Sequence, residues 1–253
     1  MPLLSLEAVE RRFGGLRAVA DLSFTAEPGR ITGLIGPNGA GKTTVINLIT
    51  GLLRLTAGRV VFGGRDIGAE PPHLVARAGI ARTFQNIRLL PEQSVADNVA
   101  AGFHRAEAGS VAAALLGLPA ARAAARRTRD EARALLASFG MMAYADHPAG
   151  ALAYGDQRRV EIMRALASGP RLLLLDEPVA GMNDVEADRL GGLIRRLADG
   201  GMAVLLVEHN MRFVTALCDA VHVLEAGRLL ASGTPSTVIA DPAVIEAYLG
   251  APA

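Results

Sequence analysis

The nine residues GPNGAGKTT at 36–44 restrict what this chain can fold into more than any other stretch. They follow a short strand-like run at 30–35, rich in β-branched residues, and precede the helical stretch TTVINLITG. Gly36, Gly41, Lys42 and Thr43 satisfy G-x-x-x-x-G-K-[ST] in the strand–turn–helix context that the motif requires. The glycines let backbone N–H groups turn inward around phosphate oxygens without Cβ clashes. A helix starting near Lys42 aims its positive dipole end at the same anion. Lys42 can then neutralise the β- and γ-phosphates of a nucleoside triphosphate, and the Thr43 hydroxyl can ligate Mg²⁺. Pro37, Asn38, Gly39, Ala40 and Thr44 complete the cradle.

The remaining pattern agrees with a nucleotide-type core. Residues 3–9 and 17–25 have β-like patterning around the turn Phe13-Gly14-Gly15, and 60–62 and 80–84 read as further strands. From Ser94 to about Phe139 the periodicity is helical. Residues 172–175 form a continuous apolar run, which suits a strand buried on both faces. Helix 184–198, strand 203–207, helix 211–217, strand 220–224 and a closing helix at 243–249 follow. The expected fold class is α/β: a P-loop NTPase core with a parallel sheet, an N-terminal antiparallel β subdomain and an inserted α-helical subdomain. Its expected boundaries are 1–93 and 169–253 for the core and 94–168 for the insert, all within one domain.

Asp176 and Glu177 end the apolar run, at the carboxyl edge where open α/β sheets bind ligands. Asp176 would hold Mg²⁺ through its water shell, and Glu177 would polarise the water that attacks the γ-phosphate.

The order of P-loop, Gln after a strand, LAYGDQ, LLLLDEP and His after a strand resembles the ABC transporter ATPase family over essentially the whole chain. The resemblance implies that Gln85 in RTFQN touches Mg²⁺ and senses a membrane partner. It implies that His209 in LLVEHNM is the switch histidine and that VAGMND at 179–184 is the D-loop. Phe13 would stack on adenine with Val19 beside it. Residues 152–157 match a signature that usually reads L-S-G-G-Q, here with Ala153 for Ser and Tyr154 for Gly. Ala153, Tyr154, Gly155, Asp156 and Gln157 open a helix, so their N–H groups make a second anion site. In this family two subunits pack head to tail and each signature caps the ATP held by the other. The implied partners are thus a second ATPase subunit (homologous, or this chain itself), transmembrane permease subunits and, indirectly, a solute-binding protein.

YGDQRRVEI, ARTFQNIRLL, ALLGLPAARAAARR and GTPSTVIADPAVIEAYLG narrow the resemblance to the longer ATPase subunit of high-affinity branched-chain amino-acid importers. Urea and amide importers use closely similar subunits. Soluble ABC ATPases of repair carry long coiled-coil insertions, those of translation carry two ATPase halves, and a P-loop kinase needs no signature turn. Neither a long coiled-coil insertion nor a second ATPase half is present in these 253 residues, and a soluble non-transport ABC ATPase stays the alternative to an importer subunit.

Composition removes other classes. A net charge of +1 gives no global electrostatic case for nucleic acid. Mean hydropathy is +0.30, yet the longest uncharged run, 108–121, falls short of the ~18–20 residues of a span and contains Gly and Pro. The N-terminus carries Glu7 and Glu10 and lacks the basic start of a signal peptide. Cys218 is the single cysteine, which fits a reducing compartment and a small buried hydrophobe. The expected location is the cytoplasmic face of the cell membrane. The five Arg between Arg122 and Arg133 read as a solvated helix face, or as a helix near lipid headgroups.

Overall fold

The computed structural model describes residues 1–103 and 119–249. Two compact units divide the chain: Met1–Gln85 with Arg171–Ala253, and Asn86–Pro170. The first unit begins β1 (Leu4–Phe13), β2 (Leu16–Ala26), β3 (Ile31–Ile35), α1 (Lys42–Ile49), β4 (Ala57–Phe62), β5 (Arg65–Asp66), α2 (Pro72–Ala78) and β6 (Ile80–Arg82). The second unit holds α3 (Val95–Ala100), α4 (Pro119–Ser138) and α5 (Tyr154–Leu166) with short 3-10 turns. The first unit resumes with β7 (Leu172–Asp176), α6 (Asp184–Asp199), β8 (Ala203–Val207), α7 (Met211–Leu217), β9 (Ala220–Glu225), β10 (Arg228–Gly233), α8 (Pro235–Ile239) and α9 (Pro242–Leu249).

Two sheets form the first unit. One is antiparallel in the order β2-β1-β4-β5. Along β2, buried Leu22, Phe24 and Ala26 alternate with exposed Asp21, Ser23 and Thr25, the period of a strand with one dry face. The other sheet runs β10-β9-β3-β8-β7-β6 and is parallel from β9 to β6. All five residues of each of β3, β7 and β8 are buried, which is why these segments read as unbroken apolar runs. One core joins both sheets through Leu4, Leu22, Ile46, Leu174 and Leu205, and each such side chain contributes about 1.5–3 kcal/mol by leaving water.

The sheet is mixed at one edge. β10 folds back on β9 across Ala226 and Gly227, whose φ values of 45° and 80° are those of a hairpin turn. The periodicity alone did not reveal β10, half exposed along its length, nor β5, α2 and α8, which are too short to show a period. Cys218 is buried, and desolvation followed by the charge of Asp219 pushes its thiol up to about 12. Most of the uncharged run at 108–121 lies outside the described residues. No described helix is long and apolar enough to cross a membrane.

The second unit packs Val95, Val99, Leu136, Met141, Val160 and Met163 around its own core. Ser94 caps α3 by accepting from the Asp97 N–H. Within α5, Arg158 Nη1 donates to Glu161 Oε2 at 2.7 Å, and both side chains are buried. Taking one partner from a buried pair costs more than replacing the pair by apolar groups. Arg158→Met should therefore destabilise the protein by roughly 3–5 kcal/mol, while Arg158→Met/Glu161→Leu should recover much of that loss in urea unfolding. A single variant that unfolds at the wild-type midpoint contradicts this account.

Candidate nucleotide site

Register places the candidate residues along one sheet edge. Leu34 pairs with Val207, Val207 with Asp176, and Leu174 with Arg82. The chain beyond each strand therefore emerges beside its neighbour: Gly36 after β3, Glu177 after β7, Glu208 and His209 after β8, Gln85 after β6.

The loop after β3 is built around glycine. Gly36 has φ +148°, and a Cβ there would lie 2.1 Å from the Leu224 carbonyl oxygen. Gly41 caps α1 at φ +104°, with the Ala18 carbonyl oxygen 2.6 Å from where its Cβ would sit. Neither position accommodates a side chain without moving backbone. Lys42 Nζ donates to the carbonyls of Gly36 (2.7 Å) and Pro37 (2.9 Å), which holds the ammonium inside the loop. Burial draws the Lys42 ammonium below its usual range, and the charges of Glu177 and Asp176 push back. A cleft of about 580 Å³ lies over the loop, and Asn38, Gly39, Ala40, Gly41, Thr43 and Thr44 line it with Lys42, Gln85 and Glu177.

Glu177 sits in this cleft with an unusual backbone. Its φ is +47°, a left-handed conformation that L side chains rarely adopt, and its N–H donates to Val207 O at 2.9 Å. Strain of this kind persists only where surrounding contacts impose it. Gln85 Nε2 donates to Glu177 Oε2 at 3.0 Å, and His209 Nδ1 approaches Oε1 at 3.6 Å. Asp176 is buried and accepts from Arg82 Nη2 at 2.8 Å, while Arg82 Nη1 reaches Asn47 Oδ1 on α1 at 2.6 Å. Among the described residues no cluster of three or more His, Cys, Asp or Glu could hold a metal alone. A Thr43 hydroxyl, a Gln85 amide and an Asp176 carboxylate are nevertheless the hard oxygen donors that Mg²⁺ takes when substrate phosphates supply the rest. The donor set fits that ion.

Phe13 is 43% exposed, and the Arg11 guanidinium covers one face of its ring at 4.4 Å. Val19 is fully buried and belongs to the core, packed behind Gly41, so its side chain presents no surface to a base. Leu16, Arg17 and Ala18 line the cleft instead, with Ala226. The hairpin register shifts between Val9, Arg11 and Arg12 break the simple alternation, leaving Val19 and Ala20 both inward.

In the second unit Ala153 is the N-cap of α5 at φ −58° and ψ 151°, and no side chain caps the helix. Tyr154 is exposed and Gly155 is buried. Gln157 Nε2 donates back to Leu152 O at 2.8 Å, and Asp156 pairs with Arg159 at 3.1 Å. Ala153 thus leaves the first-turn amides without the hydroxyl acceptor a Ser would bring.

Arg82 and Glu208 were not singled out from the sequence. Each had a signal: a cation ending the strand-like run at 80–84, and an acid inside LLVEH. Glu208 is 1% exposed and accepts backbone N–H groups from Val179, His209 and Asn210 at 3.2, 3.0 and 3.2 Å.

Comparison with known proteins agrees with this geometry. Residues 19–180 match the family model described as ABC transporter, and residues 228–253 match that of the branched-chain amino acid ATP-binding cassette transporter. The chain is 41% identical over 250 residues to the high-affinity branched-chain amino acid transport ATP-binding protein BraF of Pseudomonas aeruginosa, covering 98% of both chains. It is 40% identical to LivG of Escherichia coli K12, a protein of the same description, again covering 98% of both. A crystal structure of the ADP conformation of MJ1267, an ATP-binding cassette of an ABC transporter, superposes with a TM-score of 0.86 at 31% identity and covers 99% of both chains. A P-loop cradle after β3, two acids at the end of β7 and a family match across most of the chain lead to one placement: the chain belongs to the ABC transporter family, as an ATP-binding cassette.

Proposed function

We propose that this chain is the ATP-hydrolysing, energy-coupling subunit of an importer for branched-chain amino acids. The observation that carries the proposal is the Glu177 carboxylate, which faces the P-loop cleft between Gln85 at 3.0 Å and His209 at 3.6 Å. The P-loop amides and Lys42 bind the β- and γ-phosphates. Thr43, Gln85 and the water shell of Asp176 would hold Mg²⁺, which supplies neutralisation of phosphate charge. Arg82 fixes the Asp176 carboxylate from one side, so its orientation does not depend on the ion. Glu177 accepts a proton from water as the water oxygen bonds to the γ-phosphorus. The bond to the ADP oxygen breaks, and ADP and phosphate leave. His209 contacts the γ-phosphate, and Phe13 stacks on adenine.

Partners follow from the same reading. Two ATPase subunits pack head to tail, and residues 153–157 of one complete the site of the other. Residues 85–90 dock a permease segment on the cytoplasmic face of the membrane, and the permease receives solute from a binding protein.

Glu177→Gln preserves shape and removes the base, so ATP turnover should fall about 10²–10⁴-fold while ATP affinity holds. Steady-state phosphate release with equilibrium nucleotide binding measures both, and wild-type turnover in the variant contradicts the assignment. Arg88 is exposed, and its backbone carbonyl accepts from Arg164 at 2.5 Å, a bond that a side-chain replacement leaves in place. Arg88→Glu should leave nucleotide binding intact and uncouple ATP hydrolysis from uptake in vesicles carrying the whole transporter. Lost ATP affinity with normal coupling of the remaining turnover would place the docking surface elsewhere.

A further inference from the structure

Glu208 ends the run AVLLVE, one residue beyond the last residue of β8, and its side chain is almost completely withdrawn from solvent. Its Oε1 accepts the N–H of Val179, two residues after Glu177, and its Oε2 accepts those of His209 and Asn210. One carboxylate therefore ties two separate loops together. We infer that Glu208 is a positioning residue for hydrolysis, which locks the loop carrying Glu177 to the loop carrying His209. This inference rests on the ATPase reading above.

The geometry explains why such a lock is needed. Glu177 is left-handed at φ +47°, so the backbone's own preferences oppose the conformation that aims its side chain into the cleft. Two successive residues of one segment oppose that tendency. Val207 O receives the Glu177 N–H at 2.9 Å, and Glu208 receives the Val179 N–H at 3.2 Å. On the other side, Asn210 caps α7 by accepting from Phe213 at 3.1 Å, so the Glu208 bonds to His209 and Asn210 set where that helix begins. Movement of His209 thereby reaches the segment 179–184 through one side chain. A glutamine at 208 has one oxygen, and its amide group, itself a donor, must face either Val179 N–H or the His209 and Asn210 pair. It cannot join both loops.

The experiment compares wild type, Glu208→Gln, His209→Ala and the double variant in the full-length chain. Glu208→Gln should lower kcat for ATP hydrolysis about 10–100-fold, the kinetic equivalent of losing a charge-assisted hydrogen bond, with KM for ATP nearly unchanged. In the His209→Ala background the same change should have little further effect, because Glu208 acts through the joined loops. Hydrogen exchange should show faster exchange at Val179, His209 and Asn210 in Glu208→Gln, and a thermal melt should show the fold retained. Equal fold-losses in both backgrounds, a kcat that merely tracks the folded fraction, or wild-type kcat in Glu208→Gln would overturn the inference. If Glu177→Gln also turns over at the wild-type rate, the ATPase reading has failed. If Glu177→Gln is inactive and Glu208→Gln is not, only the role of Glu208 has.

Discussion

The in-register alignment of β3, β8, β7 and β6 is the constraint from which the rest of the site follows. Each strand is short, and β3, β7 and β8 are buried along their whole length. A slip of one residue would move Asp176 away from Val207 and turn every side chain to the opposite face. Because the strands are parallel, their carboxyl ends share one edge, and residues distant in sequence meet there. The P-loop, the acids, the glutamine and the histidine are consequences of that alignment, and the apolar core of Leu174, Leu205 and Ile46 maintains it.

Polar contacts then refine what the sheet positions. Arg82 bridges Asp176 and Asn47, linking the acid on β7 to the helix that begins at the P-loop. Gln85 and His209 flank Glu177, and Glu208 supports the loops from beneath. Left-handed backbone at Glu177 stores strain where a carboxylate must face a cleft. The neighbouring strand, through Val207, holds it there.

How much of this the sequence disclosed depended on how local each signal was. The P-loop is local: a strand, a turn whose Gly36 and Gly41 admit no Cβ, and a helix, all within twenty residues. The buried runs at β7 and β8 are local too, since a strand covered on both faces must be apolar throughout. Val19 turns inward next to Ala20 because β2 carries an extra residue between Leu22 and Val19, opposite Val9 and Arg11, and such a bulge is a property of the strand pair and not of either strand. β10 escaped notice because a short, half-exposed edge strand is defined by its partner. Arg82 and Glu208 carried visible charges, but the bonds that give them a role at the site reach Asp176 and Val179, 94 and 29 residues away, beyond any motif's reach. Such bonds become legible only when the topology brings the chain ends together.

The central claim is that the cleft over Lys42 is completed by residues 153–157 of a second subunit. Light scattering of the Glu177→Gln chain with and without ATP, in the presence of the candidate second subunit, tests it most directly when Gly155→Asp is added. Gly155 lies in the first turn of α5, so Asp there would set a carboxylate against the partner's γ-phosphate. The account predicts an ATP-dependent dimer for Glu177→Gln, no dimer for the double variant, and nearly equal monomer ATP affinity in both. Loss of ATP binding by the isolated Gly155→Asp monomer would mean that the turn serves its own nucleotide, and would contradict the account.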